Sequence, residues 1–329
     1  MAGTPKALAE IPNVPAGVGD LLSEALRRVR ITGSMQYCFM PEGNWETDAT
    51  PASYKPADSI GFHIIARGSC WLEFDGREWI LEEGDIAAFP FGTPHRLGVG
   101  TGGRLIDPGA DLPPKPWHEI PMLRYRERGE PVRILCGYIQ CEAANFAPFR
   151  QALPKYIHVR TTGSQDGDWL AGTIVQIVAE VDKPQRGGTS VLERLTEVAF
   201  MEVLRRQFLR DDGVETGWLA AVRDPVLGRC LGLLHGDPRR DWTAETLARE
   251  AGLSRSALAG RFATVLGTSP IRYLRDWRLY LASIDLKLMS KPVGLVAYEA
   301  GYGAEAAFNR AFTRRFGIPP AEWRRGATK

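Results

Sequence analysis

Two histidines in the first third of the chain are of a type that could do chemistry. His95 ends the stretch GDIAAFPFGTPH, and His63 lies upstream in FHIIARG. Imidazole nitrogens can bind a divalent metal, hydrogen-bond a small molecule or serve the fold alone. A stable divalent site needs three or four converging ligands, and Glu73 is the nearest carboxylate. Two imidazoles and one carboxylate are too few, so we expect no bound metal.

A second group of candidates lies in the basic C-terminal third. Residues 237–329 contain 16 Lys and Arg against 9 Asp and Glu, a net charge of +7, whereas residues 1–236 carry −5. This asymmetry favours a polyanionic partner for one end of the chain only.

The basic third contains one pattern twice, TAETLAREAGLSRSALAGRFATVLGTSP and PVGLVAYEAGYGAEAAFNRAFTRRFGIPP. In each copy, apolar residues at helical spacing flank a glycine that can end a helix. In the first copy this glycine is Gly252, and Thr243 and Ser254 are suited to N-cap the two helices. The pattern predicts two helix-turn-helix units, at about 243–266 and 292–316, whose second helices would enter a DNA major groove.

Over roughly residues 238–325 the sequence resembles the DNA-binding domain of the AraC/XylS family of bacterial transcription regulators. The family's ending, F-G-x-x-P-x-x-x-R, stands here as Phe316, Gly317, Pro320 and Arg324. The resemblance implies a sequence-specific DNA-binding regulator, not an enzyme, that binds promoter DNA and activates through RNA polymerase. It assigns groove-facing positions to Ser256, Ala259 and Gly260 in the first recognition helix and to Ala306, Ala307 and Arg310 in the second.

Arg310 is the best suited of these side chains to read a base, because an arginine fork matches both acceptors of guanine. The other five are small, and a glycine inside a helix, as at position 260, costs about 1 kcal/mol relative to alanine. The second recognition helix begins after Gly303 and Ala304, without a Ser or Thr cap, so we expect DNA phosphate to complete its first turn. Neighbouring residues expected to contact bases or phosphate are Arg255, Arg261, Glu305 and Asn309.

Residues 33–140 consist of short β-branched and aromatic runs broken by Gly, Pro and Asp, which predicts a sandwich or small barrel. In GSCWLEFDGREWIL, two alternating runs flank Asp75 and Gly76. An Asp-Gly pair there predicts a type I′ hairpin, since both positions need positive φ.

The stretch from Gly84 to His95 matches the second cupin signature, G-x5-P-x-G-x2-H. The first signature of cupins normally supplies two histidines spaced H-x-H, but here Ile65 stands where the second would be. AraC-type regulators commonly carry such a barrel as a sensor. The resemblance therefore implies an effector site beside His63, Trp71 and His95.

Arg124 and Arg128 form an R-x-x-x-R pair. The pair is similar to the one with which PilZ domains hold cyclic di-GMP, and arginine forks suit phosphates. A solvated loop is the alternative, and the same spacing recurs at Arg206 and Arg210. Cyclic di-GMP is thus one hypothesis for a small-molecule effector, and no permanent cofactor is expected.

Two helical patterns follow, DWLAGTIVQIVAEV and SVLERLTEVAFMEVLRRQF. The second is apolar nearly all round its middle and needs cover on two sides. Its own barrel and a second subunit of a homodimer could supply this cover, or the helix could be buried inside one chain. The expected fold is α+β: a flexible N-terminus at 1–20, a double-sheet cupin-like barrel over 21–160, a helical connector or dimerisation region over 165–215 and an all-α tandem helix-turn-helix domain over 220–329.

The five cysteines contain no C-x-x-C pair and indicate reduced thiols rather than a disulfide framework or zinc site. No stretch is apolar enough for a membrane span and the first residues lack the core of a signal peptide, so we expect a cytoplasmic protein. Two alternatives stay open: a metal-dependent cupin enzyme with a helical extension, and a DNA-binding protein without an effector.

Overall fold

The computed structural model describes residues 31–49, 59–114, 117, 119–141, 146–161, 169–210, 215–288 and 291–326. The segment expected to be flexible, residues 1–20, lies outside these ranges. The chain divides into two compact units. One spans residues 26–219, and the other is formed mainly by residues 220–329.

The first unit is built on two antiparallel-rich sheets. The six-stranded sheet has the order β11-β6-β3-β10-β1-β9, and the five-stranded sheet has the order β5-β4-β7-β2-β8. The strands are, in chain order, β1 (Ile31–Pro41), β2 (Trp45–Asp48), β3 (Ser59–Arg67), β4 (Cys70–Phe74), β5 (Arg77–Leu81), β6 (Ile86–Phe89), β7 (His95–Val99), β8 (Arg104–Leu105), β9 (Met122–Tyr125), β10 (Arg133–Cys141) and β11 (Ile157–Val159).

The inner faces of the two sheets share one apolar core. Ile65 and Ile134 contribute from the six-stranded sheet, and Trp45, Leu72 and Leu97 contribute from the five-stranded sheet. Each of these side chains is at most 1% exposed, as expected where alternate residues of both sheets interdigitate. The expected double-sheet cupin-like barrel is confirmed.

The hairpin between β4 and β5 has the predicted turn. Phe74 pairs with Arg77, which leaves Asp75 and Gly76 as the two-residue loop. Their φ angles are 52° and 71°, so both central residues are left-handed, as a type I′ turn requires.

Among the described residues of the first unit, three helices accompany the sheets: α1 (Ala147–Ala152), α2 (Trp169–Asp182) and α3 (Gly188–Leu209). Helix α3 covers the outer face of the six-stranded sheet, where Phe62 and Ile64 meet Phe200 and Val203 around one narrow apolar space. Helix α2 packs beside α3. The region expected to serve as a connector or dimerisation region, residues 165–215, thus also packs against the barrel.

The second unit is helical. Helix α4 (Trp218–Arg223) crosses the boundary between the units. Over the described residues 225–288 and 291–326, seven helices follow: α5 (Pro225–Gly236), α6 (Ala244–Glu250), α7 (Arg255–Leu266), α8 (Pro270–Leu288), α9 (Val293–Glu299), α10 (Glu305–Phe316) and α11 (Pro320–Gly326). Helices α6 and α7 form the first helix-turn-helix, and α9 and α10 form the second. The long helix α8 joins them. Within the described ranges, no helix combines the length and apolar character needed to cross a membrane.

The predicted helix signals of the first helix-turn-helix are confirmed. Thr243 and Thr246 form a reciprocal capping box, in which each side chain accepts a hydrogen bond from the other's backbone N–H at 3.0 and 2.9 Å. Ser254 accepts from the Ala257 N–H at 3.2 Å and caps α7. Gly252 has φ 72°, the left-handed conformation that lets the chain leave α6.

Candidate nucleic-acid interface and sensor site

The two recognition helices, α7 and α10, are each fixed by an apolar face. Leu258 and Phe262 anchor α7, and Phe308 and Phe312 anchor α10, all with 0% exposure. Because successive residues turn by about 100° around a helix, residues two positions before or after these anchors project to the opposite side. Burial therefore decides which face each helix offers to DNA.

In α7, the predicted groove-facing residues lie together on the exposed face. Ser256, Ala259 and Gly260 are all exposed. A Cβ added at Gly260 would meet nothing within 4 Å, so the first recognition helix offers a surface almost without side chains there. This face is suited to close approach and phosphate contact more than to hydrogen-bond readout of bases.

In α10, the structure changes one member of the predicted set. Ala306 and Arg310 are exposed on the face opposite the anchors, as expected, but Ala307 is half-buried on the flank. Asn309 takes the place that corresponds to Ala259 of α7. Thr313, three residues after Arg310, continues the same face and was missed, although its i+3 spacing was a readable signal.

Arg310 differs from the two arginines of the first recognition helix, α7. Arg255 pairs with Glu245 at 2.7 Å, and Arg261 pairs with Asp224 at 2.6 Å. Within the described part of the chain, no ion pair engages Arg310, which is exposed. Its guanidinium fork is therefore available to an external acceptor.

Three further features of α10 bear on DNA contact. Ala304 at its N-cap position makes no side-chain hydrogen bond, which confirms the expected lack of a cap. The Oδ1 atom of Asn309 is buried without a hydrogen-bond partner among the described residues. The carboxylate of Glu305 is turned towards Gly294 in the first turn of α9.

The barrel interior brings His63 and His95 together. Their Nε2 atoms lie 2.8 Å apart, and His95 Nδ1 is 2.8 Å from the Thr93 carbonyl oxygen. A carbonyl only accepts, so in the neutral ring His95 Nδ1 carries the proton and Nε2 accepts from His63. His63 Nδ1 then accepts from the Cys136 thiol at 3.3 Å, and burial raises the pKa of this thiol so that it stays protonated.

This relay does not fit a metal site. The lone pair of His95 Nε2 that would bind a metal is occupied by the His63 donor. Glu73 points away from the interior, since Leu72 and Phe74 on either side of it belong to the core, and it lies 3.5 Å from Arg96. No group of three His, Cys, Asp or Glu side chains suited to a metal occurs in the described ranges.

Trp71 does not share the interior with the histidines, which corrects the expected grouping. Trp71 lies between the core residues Cys70 and Leu72 of β4, so its side chain points to the opposite face of the sheet. There it packs against Gly98. Its indole Nε1 donates to the Gly100 carbonyl at 2.7 Å. The sequence could not fix the strand register that decides this side.

The barrel contains polar atoms that sequence reasoning missed. Asp85 is fully buried, and its Oδ2 accepts from Glu82 N–H and contacts His158 Nε2 at 2.9 Å, while Oδ1 has no partner among the described residues. The Tyr156 hydroxyl is likewise buried without a partner there. Burial raises the pKa of Tyr156, so the phenol is neutral. The ring centroids of Tyr156 and Phe89 are 5.4 Å apart.

The arginine pair proposed for cyclic di-GMP lies on the surface. Arg124 is at the edge strand β9, and Arg128 is in the loop that follows, both exposed. The second R-x-x-x-R is different, because Arg206 donates to Glu202 at 2.8 Å. Cyclic di-GMP binding stays a prediction.

The geometry of the histidine pair predicts the metal content of the protein. We expect well below one equivalent of divalent metal per chain after purification without chelator, and the same metal content in His63→Ala. The reason is that the Nε2 atoms of His63 and His95 are engaged in the hydrogen bond between them and are not free to bind an ion. Elemental analysis by mass spectrometry of the untagged protein measures this. One equivalent of zinc, iron or nickel that disappears in His63→Ala would contradict it.

Comparison with known proteins agrees with both halves of the structure. A family model described as cupin matches residues 20–208, more than half of the chain, and one described as a helix-turn-helix domain matches residues 247–326. An AraC-like transcription regulator of Streptomyces antibioticus is 27% identical over 314 residues, covering 93% of this chain and 98% of the relative.

A helix-turn-helix transcriptional regulator of Haemophilus influenzae is 29% identical, covering 94% of this chain and 99% of the relative. Among solved structures, the chain is similar to the DNA-binding domain of AdpA in complex with a target DNA, with 27% identity over 31% of this chain and 92% of that chain and a TM-score of 0.30. The chain belongs to the cupin family through its first unit and, with its duplicated helix-turn-helix, is an AraC/XylS-type DNA-binding transcription regulator.

Proposed function

We propose that the protein acts in the cytoplasm as a homodimeric, effector-responsive regulator whose second recognition helix carries most of the base readout. The observation that supports this best is Arg310, exposed opposite the buried Phe308 and Phe312. The family relation supports binding to promoter DNA and contact with RNA polymerase.

The two helix-turn-helix units would contribute unequally to recognition. Helix α10 presents the exposed Arg310, flanked by the half-buried Asn309 and Thr313, whereas α7 presents Ser256, Ala259 and Gly260. A bidentate arginine discriminates between bases, whereas alanine and glycine make at most apolar contacts. Thus α10 would specify sequence and α7 would mainly set register on the duplex.

Arg310→Ala should weaken binding to the preferred duplex by about 1–3 kcal/mol and leave binding to a scrambled duplex nearly unchanged, because it removes a base contact. The measurement is a titration of full-length protein with a duplex that it has selected from a random pool, repeated over a salt series.

Arg315 provides a matched control, because it lies on the same helix but about 140° from Arg310 in projection. We expect Arg315→Ala to affect both duplexes equally. Equal losses on both duplexes for Arg310→Ala would exclude Arg310 as a base reader.

The homodimer is supported by apolar side chains left uncovered on α3. Val191 and Val198, two helical turns apart, are 48% and 50% exposed although the opposite side of α3 packs on the sheet. On the neighbouring helix α2, Val175 is 62% exposed. Exposed apolar side chains on adjacent helices are typical of an interface.

Val198→Asp should convert the dimer to monomer, because it places a charge in an apolar contact. Analytical ultracentrifugation measures the mass over a concentration series. Glu193→Ala, on the opposite side of the same helix, is the control and should stay dimeric. A monomeric wild-type protein at all concentrations would contradict the proposal.

The effector response is supported by unused hydrogen-bonding capacity in the barrel. The unpartnered Asp85 Oδ1 and Tyr156 hydroxyl lie in an interior that is otherwise filled by side chains. A small polar molecule entering there would displace aromatic packing and gain these hydrogen bonds. It would stabilise the folded protein and shift the balance between states with different DNA affinity. A regulator without an effector would bury these groups at a cost and gain no partner.

Tyr156→Phe tests whether this hydroxyl is truly unused. The free energy of unfolding should stay the same or rise, since the variant removes a buried group without a partner. Tyr125→Phe is the matched control, because the Tyr125 hydroxyl donates to Asp111 at 2.7 Å and its loss should cost about 1 kcal/mol. Urea denaturation measures both. A loss for Tyr156→Phe as large as for the control would show that the hydroxyl already has a partner.

A further inference from the structure

Asp224 makes four backbone and side-chain connections at the start of α5. Its N–H donates to the Ala220 carbonyl in α4 at 2.9 Å, and its own carbonyl accepts from Gly228 at 2.7 Å. Its Oδ1 accepts from the N–H groups of Val226 and Leu227, both at 2.9 Å, and so caps α5. One residue thereby closes one helix and opens the next.

The remaining oxygen of Asp224 reaches the first recognition helix. Oδ2 accepts from Arg261 Nε at 3.0 Å and Nη2 at 2.6 Å. Burial opposes ionisation, but the Leu227 N–H and the Arg261 guanidinium together hold the pKa of Asp224 below its usual value. Asp224 is therefore a carboxylate at neutral pH, and the contact is a charge-assisted pair, about twice as strong as a neutral hydrogen bond.

Arg261 is on the wrong side of α7 to read bases. It lies five residues after Ser256 and two after Ala259, so at about 100° per residue it projects roughly 140° and 160° away from them. Its partner Asp224 is only 18% exposed and holds it on this flank. The structure thus gives Arg261 a protein partner in place of the base or phosphate contact expected from the sequence.

Among the described residues, the second helix-turn-helix has no equivalent contact. The residue fifty positions after Arg261 is Ala311, which is buried in the core around α10. The ion pair is therefore specific to the first helix-turn-helix. It links α7 to a residue four positions after the boundary at Ala220, where the chain passes from the first compact unit to the second.

We propose that Asp224 is a positioning residue for DNA recognition, which through Arg261 fixes the orientation of the first recognition helix relative to the segment that enters the DNA-binding unit. The inference rests on the proposed function, since it concerns how that DNA-binding unit is held for specific binding. A conformational change in the segment that enters the DNA-binding unit would therefore be transmitted to α7 through the Asp224–Arg261 pair, whether or not DNA is bound.

The test uses the full-length chain and two duplexes, the sequence that the wild-type protein selects from a random pool and a scrambled version of the same composition. Asp224→Asn keeps the N-cap, because Asn caps as well as Asp, but loses the charge pair. Arg261→Ala removes the other partner. Each single variant should lower affinity for the selected duplex by about threefold or more. The double variant should bind this duplex no more weakly than the single variant with the lower affinity, because the effects of residues in direct contact do not add.

Charge alone predicts a different pattern. Asp224→Asn removes a negative charge and would strengthen binding to any DNA by electrostatics, whereas positioning predicts that it weakens specific binding. Partial unfolding would lower apparent affinity for both duplexes equally, so the ratio of the two affinities separates misfolding from misplacement. Arg261→Lys keeps the charge and should recover part of this ratio.

Two results would overturn the inference. One is an Asp224→Asn variant with unchanged or stronger specific binding. The other is a salt slope for Arg261→Ala that is smaller by about 0.9, the change expected when one phosphate contact is lost. A wild-type protein that does not distinguish the two duplexes would instead contradict the proposed function.

Discussion

A helix can present a defined face to DNA only if its opposite face is held in place, and burial of aromatic and aliphatic side chains provides this hold. Phe262 in α7 and Phe312 in α10 are both completely buried. Everything that the recognition helices offer to a duplex follows from this packing, because the helical period then determines which residues project outward. The flank that holds Arg261 and the face that holds Arg310 are two consequences of the same constraint.

Local features of the fold could be predicted from the sequence because their causes are local. The capping box at Thr243, the cap at Ser254, the left-handed Gly252 and the Asp75-Gly76 turn depend on residues within one turn of each other. The duplicated pattern extended this reasoning to a whole domain, since two copies of one signal are far less ambiguous than one.

The features that could not be predicted depend on residues distant in the chain. Trp71 is excluded from the barrel by strand register, which a single sequence does not determine when both faces carry apolar residues. The partner of Arg261 lies 37 residues upstream, and neither residue identifies the other by type or spacing. Tyr156 lies outside the cupin signature and reaches the interior only through the packing of β11 against β6.

The difference between the two recognition helices also has a consequence for the DNA. A binding site contacted by one helix rich in polar side chains and another that presents alanine and glycine would be constrained strongly over a few base pairs and weakly over the next turn of the duplex. Promoters could then diverge beneath α7 with little penalty, provided that the local shape of the duplex still allowed close approach. Aligned target sites of this regulator would accordingly show a short invariant block beside a block defined by flexibility and groove width rather than by base identity.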